Sequence, residues 1–375
     1  MLQTAVLFRA LRLSFLYSEL RGLSFPLSLF SLFLLMKNLL TTVLVLIILS
    51  SLSCSGKIQK ISIEKADKFP LWLKDGESHT DQTSGIVYLG KTSDGSKTFL
   101  LADDIGKLNY LEIDKNSAIR LTDINYSDEV NQFLKQFPKK DFEDLTYDKH
   151  TGDVYLSIEG NGKTFREYVG IYKLIFRNND LHSRELISIK KVQITPEDQF
   201  LKYTEKNIGY EGLAVDQKYL YLGLEAGNEI PILSENSYIF IVDKKTYRII
   251  KQIDTKNLAI RSICGLYAVD DNKLIGIDRN SKKIFYINFD DSLNIKHSAE
   301  TPVHTNIPLY PDLDYIASLE SITMDDDKNI YIIDDPWKSQ FIPSESVLEK
   351  VDLNTVENFK KYIPVIFKYK FYVNN

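Results

Sequence analysis

The sequence predicts an all-β fold, a β-propeller of four-stranded blades, and three observations predict it. A hairpin-sized pattern recurs five times, a second pair of strand-like segments follows each hairpin, and the spacing is slightly above fifty residues. The copies begin at positions 84, 143, 211, 264 and 320. A period of this length with β-rich units is typical of a propeller in which each repeat forms one blade. We expect five blades, and six remain compatible with the sequence.

Each copy has the pattern of a β-hairpin. The clearest one covers residues 210–225, where Glu211 opens the first strand, Lys218 lies at the midpoint and Glu225 closes the second strand. Polar or turn-forming residues occupy the midpoint of every copy, as expected for a hairpin. We place the closing residues of the first and fourth copies at Asp103 and Asp278. Because an antiparallel hairpin returns to where it began, its opening and closing residues lie at the same end of the strands.

The remaining elements complete the propeller, to which we assign residues 80–375. The strand-like residues 57–63 are expected to close the ring against the last blade, and the alternating residues 362–373 suit an outer strand. Short helices are expected between strands at 128–137 and 354–361. The fold is therefore almost entirely β.

The N-terminal part of the sequence predicts export. Residues 36–53 have a charged start, an apolar centre and small residues at the end, which is the pattern of a signal peptide. Cys54 follows directly and resembles the lipid-carrying cysteine of a bacterial lipoprotein, so residues 54–79 would form a lipid-anchored segment that includes the closing strand. We interpret residues 1–35 as a misassigned upstream start. The alternative is a plain membrane anchor in which Cys54 has no role.

Composition excludes one class of partner. The formal net charge is −5, and positive and negative side chains are interspersed without a basic block that could neutralise a phosphate backbone. We therefore expect no nucleic acid partner, a monomer, and a membrane contact made through the lipid. We predict an exported bacterial lipoprotein that is anchored to a membrane, in the periplasm or at the cell surface. Cys264 opens a strand with apolar neighbours, which favours a buried structural thiol over a nucleophile.

Acidic residues at the hairpin ends are the candidate site. Glu and Asp are poor strand residues, so their repeated occurrence there needs a reason. The acids of the three full copies are Glu143, Glu159, Glu211, Glu225, Glu320 and Asp335. A propeller would bring them together on one rim, where clustered carboxylates repel unless a cation neutralises them, and oxygen ligands select Ca²⁺ or Mg²⁺. Alternatively, they accept backbone hydrogen bonds or pair with Lys and Arg between blades.

These motifs resemble the phytase-like propellers, which include β-propeller phytases, proteins with esterase-like activity of phytase, and the SdiA-regulated family. The resemblance covers roughly residues 80–340 and depends on the hairpins at 143–159, 211–225 and 320–335. In phytases such glutamates hold calcium ions at the channel mouth, and calcium with basic residues binds the substrate phosphates. The resemblance implies that Glu143, Glu211, Glu225 and Glu320 are Ca²⁺ ligands.

Three functions are compatible with the sequence. The leading hypothesis is a Ca²⁺-binding propeller that hydrolyses a phosphoester or binds another anionic small molecule, with Arg261 and Arg279 as anion partners. The second is a non-catalytic surface propeller that binds a protein or another ligand, in which the acids only lock the blades. The third is a lactonase-like hydrolase. The fold alone does not choose among them.

Overall fold

The structure is a computed structural model that describes residues 60–227, 233–336 and 339–374. The signal segment 36–53, the upstream residues 1–35 and Cys54 lie outside the described residues. Within the described parts of the chain, none of the helices combines the length and the apolar character needed to span a bilayer.

The first part of the described chain forms four short strands and then blades 1 and 2. Those before the first blade are β1 (Lys60–Lys65), β2 (Leu71–Trp72), β3 (Lys74–Asp75) and β4 (Ser78–His79). Blade 1 consists of β5 (Thr83–Lys91), β6 (Lys97–Asp103), β7 (Lys107–Ile113) and β8 (Ile119–Asp123). After β9 (Asn125–Tyr126), blade 2 consists of β10 (Phe142–Asp148), β11 (Asp153–Ile158), β12 (Gly170–Phe176) and β13 (Glu185–Lys191). Strand β9 pairs in parallel with β13 at the outer edge of blade 2.

The remaining blades repeat the same antiparallel order. Blade 3 consists of β14 (Tyr210–Val215), β15 (Tyr219–Leu224), β16 (Tyr238–Asp243) and β17 (Arg248–Asp254). Blade 4 consists of β18 (Ile263–Asp270), β19 (Lys273–Asp278), β20 (Lys283–Phe289) and β21 (Ile295–Pro302). A short hairpin, β22 (Asn306–Ile307) and β23 (Tyr310–Asp314), precedes the last blade. Blade 5 contains β24 (Leu319–Met324), β25 (Asn329–Asp334) and β26 (Val365–Asn374).

The N-terminal strand completes blade 5. Strand β1 pairs antiparallel with β26, with Lys60 opposite Asn374 and Lys65 opposite Tyr369. The inner strands contact one another in the order β5, β10, β14, β18 and β24, and β24 contacts β5 again. The predicted β-propeller is thereby confirmed, and it has five blades. Strand β26, which we expected at the outer edge, is the third strand of its blade because β1 lies outside it.

Apolar side chains fill the spaces between neighbouring blades. On β6, Phe99 and Leu101 pack against blade 5, whereas Leu100 and Ala102 pack against blade 2. Successive side chains of a strand point to opposite faces, so a strand with a blade on either side is buried on both faces. This explains why the central strands are continuous apolar runs. Five such clusters of buried residues lie one at each of the five interfaces between blades.

Short helices connect some of the strands. The α-helices are α1 (Asp128–Leu134), α2 (Phe165–Tyr168), α3 (Glu197–Phe200), α4 (Glu345–Leu348) and α5 (Leu353–Lys360). Helix α1 begins at the cap Ser127, whose side chain accepts a hydrogen bond from the Val130 backbone, and it buries Val130 and Leu134. Single 3-10 turns occupy Arg177–Asn179, Leu181–Ser183, Thr255–Leu258 and Ser339–Phe341.

A single buried carboxylate connects the blades at the propeller axis. Asp144 of β10 is fully buried and accepts hydrogen bonds from the backbone N–H groups of Leu213 at 2.8 Å and Leu266 at 3.3 Å. It also accepts a hydrogen bond from the hydroxyl of Ser321, and that hydroxyl oxygen accepts one from the Ile86 backbone N–H at 3.1 Å. These residues come from blades 2, 3, 4, 5 and 1, respectively. Asp144 and Ser321 together therefore join all five blades.

The position that Asp144 and Ser321 occupy is crowded in the other blades as well. Its equivalents include Gly85 in blade 1 and Gly265 in blade 4. A Cβ atom on Gly85 would lie 2.4 Å from the backbone oxygen of Glu143, and one on Gly265 would lie 2.8 Å from the Cα atom of Ser321. These glycines permit the inner strands to approach one another closely at the axis.

We predict that Asp144→Asn lowers the free energy of unfolding by about 2–4 kcal/mol, because an amide offers an acceptor on one side only and leaves buried donors unsatisfied. The control is Asp291→Asn, which changes an exposed aspartate and should leave stability within about 0.5 kcal/mol of the wild type. Denaturant unfolding of the three proteins measures the difference. Equal stability of Asp144→Asn and the wild type would contradict the role of Asp144.

Candidate functional site

The first strand of every blade is irregular at the same place. A β-bulge follows the first paired residue of each inner strand, between Phe142 and Leu145 in blade 2 and between Tyr210 and Gly212 in blade 3. A bulge re-aims the side chain at that point, which brings the opening residue to the rim. The five opening residues are Ser84, Glu143, Glu211, Cys264 and Glu320.

A shared backbone bond defines the closing residue in four blades. In each, the closing N–H donates to the carbonyl two residues before the opening residue. The pairs are Asp104 with Gln82, Glu159 with Asp141, Glu225 with Gly209, and Asp335 with Ser318. In blade 4, Ile263 pairs with Asp278, so the residue in the closing position is Arg279.

Two sequence assignments were therefore wrong by one residue. Asp103 and Asp278 are the last paired residues of β6 and β19, and the closing residues are Asp104 and Arg279. The carboxylates of both aspartates are engaged locally. Asp103 accepts a hydrogen bond from the Thr83 hydroxyl at 2.9 Å, and Asp278 accepts one from the Arg261 backbone at 3.0 Å. An acid at the strand end is therefore not sufficient to identify a rim residue.

The rim brings acids from several blades together. We use the name rim cluster for Asp104, Asp141, Glu143, Glu159, Glu211, Glu225, Glu320 and Asp335 with the cations Lys139 and Arg279. Three groups within or beside it each offer possible ligand atoms lying within 4.8 Å of one another: Glu159, Glu211 and Glu225; Asp104, Asp141 and Glu143; and Glu211, Cys264 and Glu320. All six sequence-predicted acids thus belong to the cluster, and each is at most 9% exposed.

Several buried carboxylate oxygens of the rim cluster have no hydrogen-bond donor. They are Oε1 of Glu159, Oε2 of Glu211, Oδ1 of Asp335, Oδ1 of Asp104 and Oδ2 of Asp141. A buried carboxylate oxygen without a donor is strongly unfavourable, and most such atoms in proteins are paired. Oε2 of Glu211 forms an ion pair with the Arg279 Nη2 atom at 3.5 Å, longer than the 2.6 Å contacts of Arg279 with Glu225 and Glu320. These oxygens are therefore candidate ligands of a further cation.

Two basic side chains neutralise part of this charge. The guanidinium of Arg279 donates to Glu320 through Nη1 and to Glu225 through Nη2, both at 2.6 Å. Lys139 lies 2.9 Å from Oδ2 of Asp104 and also pairs with Asp141. Arg261, in contrast, is exposed. The two arginines that we named as candidate anion partners are therefore in different environments: Arg279 is paired within the rim cluster, and Arg261 is on the surface.

Burial changes the ionisation of the acids. Burial, reinforced by repulsion from neighbouring glutamates, raises the pKa of Glu143, Glu159 and Glu211 well above the ordinary value. Burial next to Glu320 raises the pKa of Asp335 to about 9. Burial also raises the pKa of Asp141 to about 6, although Lys139 opposes this shift. The folded protein therefore favours protonated carboxyl groups wherever no cation balances them.

Cys264 occupies the opening position in blade 4 that glutamate occupies in three other blades. It is 1% exposed, and burial raises the pKa of its thiol well above the ordinary value. The expected buried thiol is observed, but it lies beside Glu211 and Glu320. A neutral thiol adds no charge to the rim.

Sequence reasoning missed Asp104, Asp141 and Lys139. Asp104 was hidden by the preceding Asp103, which fits the hairpin pattern equally well. Asp141 lies before β10 with a φ of 42°, outside the strand pattern that drew attention to the acids. The structure shows that the rim residue follows the last paired residue of the second strand, because all five inner strands share the bulge, and the bulge leaves no signal in the sequence.

No protein-family model matches this sequence, and no curated protein is similar to it at a significant level. The fold defines the class of protein, a five-bladed β-propeller. The PQQ-bound aldose sugar dehydrogenase of Streptomyces coelicolor is 9% identical, with a TM-score of 0.43 over 84% of this chain and 99% of that chain. The GH43_1 enzyme from Xanthomonas citri complexed with xylose is 9% identical, with a TM-score of 0.44 over 80% and 89%. A luciferin-regenerating enzyme is 11% identical, with a TM-score of 0.43 over 83% and 95%. Similarity at this level carries no argument about the reaction of this chain.

We predict that stability in the presence of a chelator falls as pH rises from about 5 to about 9. Carboxyl groups with raised pKa values bind more protons in the folded state than in the unfolded state, so stability is greatest below these pKa values. The slope should reach about 1.4 kcal/mol per pH unit for each such group, and Asp335→Asn should remove one contribution near the upper end. Denaturant unfolding at several pH values measures it, with Asp291→Asn as the control. A flat or rising profile would contradict the electrostatics described here.

Proposed function

We propose that the rim cluster binds Ca²⁺. The observation that carries this proposal is the set of buried carboxylate oxygens without donors on Glu159, Glu211 and Asp335. Carboxylate oxygens are the ligands that Ca²⁺ and Mg²⁺ prefer, and Ca²⁺ accepts the larger and less regular set. The residues present therefore fit a hard divalent cation.

Charge balance supports the same proposal. The rim cluster contains eight carboxyl groups and only two basic side chains, Lys139 and Arg279, which pair with some of them, and the raised pKa values of Glu159, Glu211 and Asp335 agree with this incomplete compensation. Burying uncompensated carboxylates costs several kcal/mol per group, so they become protonated or acquire a cation. A bound Ca²⁺ would keep the acids ionised near neutral pH. The candidate ligands are those offered by Asp104, Asp141, Glu143, Glu159, Glu211, Glu225, Glu320 and Asp335.

Phosphoester hydrolysis is the reaction that we propose for this site, on the basis of the resemblance to phytase-like propellers. A metal ion there would supply neutralisation of phosphate charge and an activated water. The chain's own contribution would be to hold the acids on a rigid rim and to provide Lys139, whose side chain is 45% exposed, as a cation near an incoming anion. Arg279 has less freedom for this purpose, because Glu225 and Glu320 already accept from it.

A second candidate function follows from Arg279. Its guanidinium joins Glu225 of blade 3 to Glu320 of blade 5 from a position in blade 4. This is the interblade pairing of a non-catalytic propeller in which the acids lock the ring and another surface binds the ligand. The two functions differ in how they respond to calcium.

We also propose that the protein is exported by the signal 36–53 and acylated at Cys54. This proposal depends on the sequence alone, because both lie outside the described residues. Mass spectrometry of the mature N-terminus tests it, and a mature chain that starts elsewhere than Cys54 would refute it.

We predict that Ca²⁺ raises the melting temperature of the wild type and that Glu211→Gln reduces this gain. Glutamine keeps the shape and removes one buried charge, so the variant without metal should be at least as stable as the wild type. A ligand that binds only the folded state stabilises it by about 2.7 kcal/mol at a concentration one hundred times its Kd. Calorimetry of both proteins with calcium and with chelator measures these effects.

Different results would contradict the proposed calcium site and the proposed hydrolysis. If the acids only lock the blades, Glu211→Gln destabilises the protein with or without calcium, and calcium changes neither melting temperature. A phosphatase screen with and without chelator then tests the reaction separately. Calcium-dependent stability without calcium-dependent hydrolysis would retain the metal site and remove the hydrolase.

A further inference from the structure

Arg279 is a positive charge in a position that is acidic in every other blade. The equivalent closing residues are Asp104, Glu159, Glu225 and Asp335 in blades 1, 2, 3 and 5. Blade 4 also carries Cys264 in the opening position. This blade therefore contributes a neutral thiol and a cation to a rim that is otherwise acidic.

The guanidinium of Arg279 lies against two of the three groups that could hold a metal. It contacts Glu225 at 2.6 Å and Glu211 at 3.5 Å, which belong to the group with Glu159. It also contacts Glu320 at 2.6 Å, which belongs to the group with Cys264. A divalent cation on either group would thus lie close to a fixed positive charge.

The third group has a different neighbour. Asp104, Asp141 and Glu143 are accompanied by Lys139, whose side chain is 45% exposed, whereas that of Arg279 is 21% exposed. Lys139 also pairs with two carboxylates, but its flexible stem and its more exposed side chain allow the ammonium group to move into solvent more readily than the guanidinium of Arg279. Arg279 is held by two charge-assisted hydrogen bonds, and a guanidinium keeps its charge in proteins.

We infer that Arg279 is a built-in counter-ion that occupies one cation position of the rim cluster and so limits how many divalent cations the site binds. This inference rests on the proposed calcium binding and deepens it. Lys139 yields its place to a divalent cation, and Arg279 does not. Arg279 therefore excludes a further divalent cation from the positions beside Glu225 and Glu320, and the wild type binds fewer ions than its carboxylates alone would allow.

The test is calcium titration of the wild type, Arg279→Gln and Arg261→Gln by isothermal calorimetry. The control Arg261→Gln removes an exposed arginine of the same blade and should titrate like the wild type. Arg279→Gln should bind one more Ca²⁺ per chain than the wild type and should gain more melting temperature from calcium. Without calcium it should be less stable, because the guanidinium that pairs with both Glu225 and Glu320 is removed.

A second measurement covers the case in which Arg279→Gln does not fold without metal. The three proteins are purified in calcium, and the calcium retained per chain after gel filtration is measured by atomic emission. One additional equivalent in Arg279→Gln, absent from Arg261→Gln, supports the inference. Equal calcium content in the wild type and Arg279→Gln would overturn it.

The result also separates this inference from the proposed function. A wild type that binds no calcium while Arg279→Gln binds one equivalent refutes calcium binding by the native protein and supports the role of Arg279. A wild type that binds calcium with the same stoichiometry as Arg279→Gln retains the function and refutes that role. If neither protein binds calcium, both are refuted.

Discussion

The carboxylate of Asp144 is the interaction on which the rest of the propeller depends. Five blades that pack only through apolar side chains could slide against one another, because hydrophobic contact has no direction. The hydrogen bonds that Asp144 accepts from Leu213, Leu266 and Ser321 fix the inner strands of blades 2, 3, 4 and 5 in one register. The bond from Ile86 to Ser321 adds blade 1. The opening residues on the rim precede this layer by one residue, so their positions follow from it.

This arrangement separates two kinds of buried acid. Burial raises the pKa of Asp144 as well, but the hydrogen bonds from the Ser321 hydroxyl and from the backbone N–H groups of Leu213 and Leu266 oppose this shift, and Asp144 contributes to a rigid axis. Most acids of the rim cluster are also buried but have fewer donors and repel one another, which makes them responsive to pH and to cations. The hydrogen bonds of Asp144 hold the inner strands in place next to the rim cluster. The acids therefore cannot move apart to reduce their repulsion without breaking these hydrogen bonds.

The fold was predictable because its signal is repeated. The polar residues at the hairpin midpoints, the alternation of the strands and the spacing of the copies agree across all five repeats. This agreement identifies the fold, although the sequence signal of any single hairpin is weak. Glu143, Glu211 and Glu320 were recognisable for the same reason, since a glutamate opening three inner strands is unusual. Asp104 and Arg279 were not, because the bulge inserts a residue that sequence alignment of hairpins does not show and because Asp103 and Asp278 fit the pattern as well. Lys139 and Asp141 lie outside the repeat, and their contribution follows only from chain packing.

Closure of the ring by β1 has a consequence for how the chain folds. Strand β1 pairs with β26, so blade 5 combines the first and last strands that the structure describes. Contacts between residues so distant in sequence carry a high loop-closure entropy and form late. Blades 1 to 4 are each built from consecutive strands and can form while synthesis continues, but the fifth interface has to wait for the C-terminal strand. Until then one edge of the incomplete ring exposes the apolar faces of Phe99 and Leu101, so the nascent propeller needs protection from aggregation until its two ends meet.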